Sequence, residues 1–399
     1  MPSRVLRIAV VGAGSGPHAR AREYLATIVR LRHLYTLCAV CDVHEPTARE
    51  VAGTHGAAAY TDVRHMLERE TPEVVFCLTP TDSQPVVALA AARAGAHILT
   101  EIPYGITLGV GDAIAEGCRQ RGALWEVAEQ VWLWPVERFK RQAIAAGFIG
   151  EPTHVRLQYA SGAYHGFNAV RALLRDEPKR VLGHVHQVEC PPYVAYGGDA
   201  MHTRVWEHAV VAFERGVACL FERPLSPAAN RWEVIGTRGR LVGNELFVQA
   251  GDRERQHVVQ ESYVEANGRK LLAALRWDTE PALTWENPFL LHGIGSPDDI
   301  AKASILTAMH RSVVEGAPAQ YGPDNARRDL EVWFAVWESA RRGNAWVELP
   351  LPGRPTELEA RIRAAYVEEY GDDPVEAWES LLPTRFGRKS VWWTVAQWL

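Results

Sequence analysis

Hydrophobic residues in the first third of the chain come in short continuous runs, each followed by a longer stretch whose apolar positions recur at helical spacing. The runs "VLRIAVVG", "YTLCAVCD", "EVVFCLT" and "HILTEIP" have strand length, and their near-continuous apolarity fits strands covered on both faces. Between them "HARAREYLATIVRL", "PTAREVAGTHG" and "QPVVALAAARAG" read as helices, and "TLGVGDAIAEGCRQRG" followed by "LWEVAEQ" adds a further unit. Strict alternation of strand and helix predicts a parallel sheet wound with helices.

After "PVERFKRQAIAAGFIGEP" the texture changes. "THVRLQYAS", "HAVVAFERGVACLFERP" and "RWEVIGTRGRLVGN" read as successive strands joined by short glycine-bearing turns, an antiparallel pattern. Helical spacing returns at "DIAKASILTAMHRSVVEG" and "NARRDLEVWFAVWESARRG", predicting one sheet with helices against it. A third section starts near Leu351, and four of the 14 tryptophans fall in its last 22 residues. That apolar area is costly to leave in water, so the tail is expected to pack on the second domain or at a subunit interface. The fold class is α/β. Residues 1–127 form a doubly wound domain, 128–350 an α+β domain with an open, mainly antiparallel sheet, and 351–399 a tryptophan-rich extension.

Composition narrows the function. A chain of 399 residues needs more than one core, and 47% hydrophobic with 23% charged residues is the balance of a soluble globular protein. A net charge of -5 gives no reason to expect nucleic acid or an anionic membrane as partner. The apolar runs fall far short of the roughly 20 residues a bilayer span requires. The first strand begins within a few residues of Met1, so a cytoplasmic location is expected. Six cysteines do not make a disulfide framework in a chain this long. Cys38 and Cys41 form a C-x-x-C, but residues three apart on a strand face opposite ways, and burial as small hydrophobes is the better reading. The 15 histidines show no metal-ligand spacing, so no metal is predicted.

"VVGAGSGPHAR" follows the first strand and opens a helix, the context a dinucleotide turn requires. Gly12 permits the tight turn and Gly14 the approach of a pyrophosphate to the helix N-terminus, with Ser15 and Gly16 completing the loop. Pro17 stands where a third glycine is usual. Asp42, ending the second strand, suits both ribose hydroxyls and would repel a 2′-phosphate, so NAD is favoured over NADP.

The glycine turn together with "CDVHEPTAREVAGTHG", "FCLTPTDSQ", "AGAHILTEIP", "FIGEPTHVRL", "EVIGTRGRLVG" and "ESARRGNAWVELP" resembles the successive landmarks of the glucose-fructose oxidoreductase, inositol dehydrogenase and MocA family, to about residue 350. The resemblance implies a Rossmann domain followed by an open-sheet domain, NAD as cofactor, and oxidation or reduction of sugar or cyclitol hydroxyls. It also implies that Leu78, Thr79 and Pro80 line the nicotinamide ribose and that Glu101 sits beside the ring. Where the family usually has E-K-P, this chain reads Glu101, Ile102, Pro103. The lost ammonium is a charge-assisted hydrogen bond worth about 1.5 to 3 kcal/mol, or roughly ten- to hundredfold in rate. Tyr104 is the nearby candidate donor.

The family's substrate helix often carries aspartate, three residues, then histidine. Here "SGAYHGFNAVRALL" keeps His165 and replaces the aspartate by Ser161. By this resemblance His165 is the acid/base, its ordinary pKa lying near working pH; a capping or core histidine is the plain alternative. Tyr164 and Asn168, within about a helical turn, are expected substrate contacts, as are Gln130 and Trp132 in "EQVWLWP", while Trp134 reads equally as core.

The leading expectation is an NAD-dependent oxidoreductase acting on a secondary hydroxyl of a sugar, glycoside or cyclitol, with Glu101, Tyr164 and His165 at the reacting centre. One alternative is an NAD-dependent glycosidase working by transient oxidation, elimination and hydride return, for which Glu129 and Tyr164 are spare acid/base groups. Another is an NAD-bound sensor or structural protein without turnover. By the family's habits a homo-dimer or homo-tetramer is expected.

Overall fold

In the structure, a computed structural model, residues 4–14, 19–160, 162–194, 200–224, 230–387 and 391 are described. The alternating pattern becomes β1 (Leu6–Val11), α1 (Arg20–Arg30), β2 (Tyr35–Cys41), α2 (Glu45–His55), β3 (Ala58–Tyr60), α3 (Val63–Glu70), β4 (Val74–Cys77), α4 (Gln84–Arg93), β5 (His97–Thr100), α5 (Leu108–Gln120) and β6 (Trp125–Val127). The six strands run parallel in the order β3-β2-β1-β4-β5-β6. Ile8, Val10, Val75, Phe76 and Leu99 are wholly buried, as strands between two helical layers must be. The strand order reverses between β1 and β4, which opens a crevice at their carboxyl ends. Gly12 turns there with φ +90, and a Cβ on it would stand 2.8 Å from the carbonyl of Leu78, so only glycine fits.

The chain then forms α6 (Pro135–Ala145), β7 (Pro152–Gln158), α7 (Ala163–Leu174), β8 (Pro178–Val194), β9 (Ala200–Phe213), β10 (Ala218–Glu222), β11 (Arg231–Gly236), β12 (Gly239–Val242), β13 (Glu245–Ala250) and β14 (Arg253–Val258). With β18 (Val347–Glu348) these strands make a nine-stranded sheet ordered β14-β13-β12-β11-β7-β10-β9-β8-β18. It is antiparallel except for the β7–β10 pair.

The expectation of a single sheet needs correcting. β15 (Gln260–Ala266), β16 (Arg269–Trp277) and β17 (Leu283–Glu286) form a separate three-stranded sheet. Trp277 at the end of β16 is fully buried and stacks on Phe139 of α6, ring centroids 4.3 Å apart, so this sheet covers α6 instead of extending the large one.

Two further helices cross back to the first domain. α8 (Pro297–Glu315) packs on α1 and receives the Tyr35 hydroxyl at the carbonyl of Leu306, 2.7 Å. α9 (Pro323–Arg341) lies on β8, so close that a Cβ on Gly183 would stand 2.4 Å from the carbonyl oxygen of Val336. The extension forms α10 (Glu357–Tyr370) and α11 (Trp378–Leu381). Its described part touches α9 of the second domain, as expected, and is tied as well to the first domain, which the sequence did not announce. The Tyr366 and Tyr370 hydroxyls donate to the backbone carbonyl and carboxylate of buried Asp82, at 2.9 and 3.0 Å, and Glu359 accepts from the N–H of Leu108 at 2.9 Å. Trp392, Trp393 and Trp398 lie outside the described residues. Among the described residues no helix is long and apolar enough to cross a membrane.

Candidate active site

At the nucleotide end the structure brings Gly12, Gly14, Asp42, Leu78 and Thr79 together; Ser15 and Gly16 lie outside the described residues. Asp42 Oδ2 accepts from the N–H groups of Ala13 and Gly14, at 2.8 and 3.3 Å, while Oδ1 accepts from His44 N–H at 2.9 Å. The carboxylate thus braces the turn and keeps a negative charge at the end of β2. Pro80 follows Thr79 and its carbonyl accepts from the Ser83 hydroxyl at 2.7 Å, which turns the chain into α4.

Glu101 follows β5, its N–H bonded to the carbonyl of Cys77 at 3.1 Å. Its Oε1 accepts from Arg20 Nε at 2.9 Å, and Arg20 Nη1 reaches Asp298 at 3.0 Å. Ile102 packs against the core. Tyr104 does not replace the missing lysine: it is buried against Trp125, and its hydroxyl donates to Asp112 at 2.9 Å. The cation beside Glu101 comes instead from the first turn of α1. Nearby, Arg20 Nη2 and the Tyr24 hydroxyl are buried and find no partner among the described residues. Burial, followed by the charges of Glu101, Asp298 and Glu129, holds the Tyr24 hydroxyl well above its ordinary pKa, with Arg20 opposing.

Beyond β6, Glu129 is 1% exposed. Its Oε1 accepts from the N–H of Val131 at 2.9 Å, and its Oε2 lies 2.6 Å from Nδ1 of His165. An ionised carboxylate can only accept, so Nδ1 carries the proton and Nε2 is left as the acceptor. Among the described residues Nε2 has no hydrogen-bond partner. The side chain is 13% exposed, which leaves it reachable. Tyr164 packs beside it, ring centroids 4.7 Å apart. Burial first, then the charges of Glu129 and Glu101, push the Tyr164 hydroxyl far up, so both carboxylates bear on one phenol. Gly162, with φ +64, makes room for that phenol: a Cβ there would stand 2.7 Å from Tyr164 Cζ. Ser161, at the aspartate position, lies outside the described residues.

Gln130 keeps a buried Oε1 without a partner. Trp132 is pinned at both ends: its indole N–H donates to the carbonyl of Glu129 at 3.0 Å, and its own carbonyl accepts from Arg141 at 2.6 Å. Asn168 is drawn elsewhere. Its amide donates to Asp329 at 3.2 Å within a buried network, and with Trp132 and Tyr321 it lines a cavity of about 170 Å³. The pairing of Glu129 with His165 spans 36 positions and no local motif announces it. Arg20 and Asp298 are further apart still, and only the packing of α8 on α1 joins them.

Comparison with known proteins bears on the nucleotide domain and the fold. Residues 6–129 match the family model described as "Oxidoreductase family, NAD-binding Rossmann fold", that of glucose-fructose oxidoreductase, inositol dehydrogenase and MocA. The scyllo-inositol 2-dehydrogenase (NAD(+)) of Bacillus subtilis is 25% identical over 275 residues, 63% of this chain and 76% of its own. The myo-inositol 2-dehydrogenase of Thermotoga maritima is 22% identical over 301 residues, 65% of this chain and 85% of its own. A levoglucosan dehydrogenase solved with NADH and levoglucosan shares the fold, with a TM-score of 0.66 at 18% identity, covering 87% of this chain and 100% of that one.

Residues 6–129 are thus an NAD-binding Rossmann domain of this family's kind, and the chain is an NAD-dependent oxidoreductase. Its residues fit the cofactor. Asp42 and the glycine turn suit the adenosine half, and beside Glu101 the buried Arg20 Nη2 and Tyr24 hydroxyl, without partners among the described residues, are donors a bound group could use.

Proposed function

We propose that this chain is a member of the inositol dehydrogenase and MocA family and oxidises or reduces a secondary hydroxyl of a sugar, glycoside or cyclitol. The observation that carries the reading is the 2.6 Å contact between His165 Nδ1 and the buried Glu129 carboxylate. NAD, when bound, exchanges hydride with the carbon that bears the hydroxyl. His165 Nε2 takes the hydroxyl proton in oxidation and returns it in reduction. Glu129 fixes the tautomer and stabilises the imidazolium that forms. Tyr164, neutral because its pKa is raised, donates a hydrogen bond to the substrate.

Arg20 answers the loss of the family's lysine. Held by Glu101 and Asp298, it restores a positive charge beside the acid that precedes Ile102, at the polar end of the crevice. The related cyclitol dehydrogenases and the levoglucosan enzyme support the choice of a polyhydroxylated substrate.

The test is incubation of the protein with NAD and a panel of sugars, glycosides and cyclitols. Growth of NADH absorbance with at least one of them is expected. Aglycone release with solvent deuterium in the sugar and no NADH would replace this reading by redox-assisted hydrolysis; NAD binding with no turnover on the whole panel would refute both.

A further inference from the structure

A cavity of about 360 Å³ is lined by residues of α6, the end of α7 and β17, and by Trp132. Arg138, Arg141 and Arg175 line it, with Trp132 and Trp285 as aromatic walls and Gln320 at the edge. No acidic residue lines it. An arginine taken even partly out of water is ordinarily paired, because an uncompensated charge is costly to bury; Arg138 and Arg141 are half-buried and Arg175 is exposed. Arg171 on α7 obeys this, with Asp329 and Glu177 each at 2.8 Å. None of the three cavity arginines has a carboxylate within ion-pair distance among the described residues.

Arg138 Nε is buried with no partner among the described residues. The nearest acid acting on Arg141 is Glu137, already neutralised by Lys140 at 2.6 Å and bonded to Trp232. Burial, then the charges of Arg138 and Arg175, push Arg141 down to about 10. Three guanidinium groups without a carboxylate partner, one of them, Arg141, already bonded to the Trp132 carbonyl, surround one opening and form a forked donor set that matches oxyanions.

We propose that this cavity is a binding site for a small multiply charged anion, bearing phosphate or carboxylate groups, held by Arg138, Arg141 and Arg175. The ligand is distinct from the molecule that reacts at His165. The two sites stand at opposite ends of α7, ten residues or roughly 15 Å of helical rise apart, which is more than one sugar ring spans. The proposal does not depend on the choice of substrate. Arg141 also holds the carbonyl of Trp132, whose indole bonds the carbonyl of Glu129, so the site is wired to the acid/base pair.

The experiment is calorimetric titration of the whole protein with inorganic phosphate and, separately, with citrate, at constant ionic strength set by chloride. Saturable binding of at least one is expected, and the two probes separate a phosphate ligand from a carboxylate one. Arg175→Gln and Arg138→Gln should each bind about tenfold or more weakly, the loss of a charge-assisted hydrogen bond, with NADH affinity unchanged. Arg175 is exposed, so its variant is tolerated even if burial makes Arg138→Gln unstable. Absence of saturable heat with both anions, or undiminished affinity in Arg175→Gln, overturns the proposal.

Discussion

Two buried carboxylates from other elements meet α7, and they do opposite things. At the first turn, Glu129 holds one nitrogen of His165 and leaves the other without a partner among the described residues. Two turns later Asp329 is saturated: Arg171 donates to it at 2.8 Å, Asn168 at 3.2 Å, and Tyr321 through its hydroxyl. Burial raises the pKa of Asp329, and Arg171 first among its partners opposes that. A network closed around its carboxylate serves to hold helices together, so its loss reads out as stability. An open one keeps a proton acceptor in reserve, so its loss reads out as rate.

Substitutions around the two carboxylates should therefore separate rate from stability. His165→Ala should lower turnover by roughly 10² to 10⁴-fold, with urea unfolding within about 1 kcal/mol of the parent. Asp329→Ala should do the reverse, costing about 3 kcal/mol of stability by leaving a buried arginine half-paired, while the folded fraction retains its turnover. If Asp329→Ala lost activity without stability, the division between the two carboxylates would fail.

Glu126, three residues before Glu129, sharpens the contrast with a pH signature. It accepts only from the backbone N–H groups of Gln320 and Tyr321, at 2.9 and 2.6 Å, and burial pushes it up to about 7, those N–H groups opposing. A carboxyl whose folded pKa lies above its ordinary 4.5 binds extra protons in the folded state between those values. Its contribution is complete below about 4.5 and is lost as pH rises through about 7. Urea unfolding of Glu126→Gln compared with the parent, from pH 5 to 8, should show a shallower decline, by up to about 3 kcal/mol.

Glu129→Gln carries the smallest expected effect. The amide oxygen still accepts from Nδ1, but the charge that stabilises the imidazolium is gone, so turnover should fall roughly ten- to hundredfold. Undiminished turnover in Glu129→Gln would remove Glu129 from the mechanism.

The nucleotide half was legible in the sequence because its signals are local. A glycine turn, the apolar runs and Asp42 each act within a few residues of themselves, and the structure places them accordingly. Cys38 and Cys41 likewise lie buried on β2, as the strand pattern implies. The three-stranded sheet was not legible, since its strands cover α6 and nothing in "RKLLAALRW" says which surface they cover. Tyr104 shows the same limit at one residue: its place beside Ile102 made it a candidate, and packing on Trp125 turned its hydroxyl to Asp112.

What the sequence determined by itself was the alternation that winds the first sheet, the turn that receives a dinucleotide and the histidine on the helix after β7, because strand and helix periodicity and turn chemistry are properties of adjacent residues. Tertiary structure alone decided which carboxylate meets that histidine, which cation meets Glu101 and which arginines share a cavity. The first two contacts join residues 36 and 81 positions apart, and their strength comes from desolvation, which exists only once the layers have closed over them.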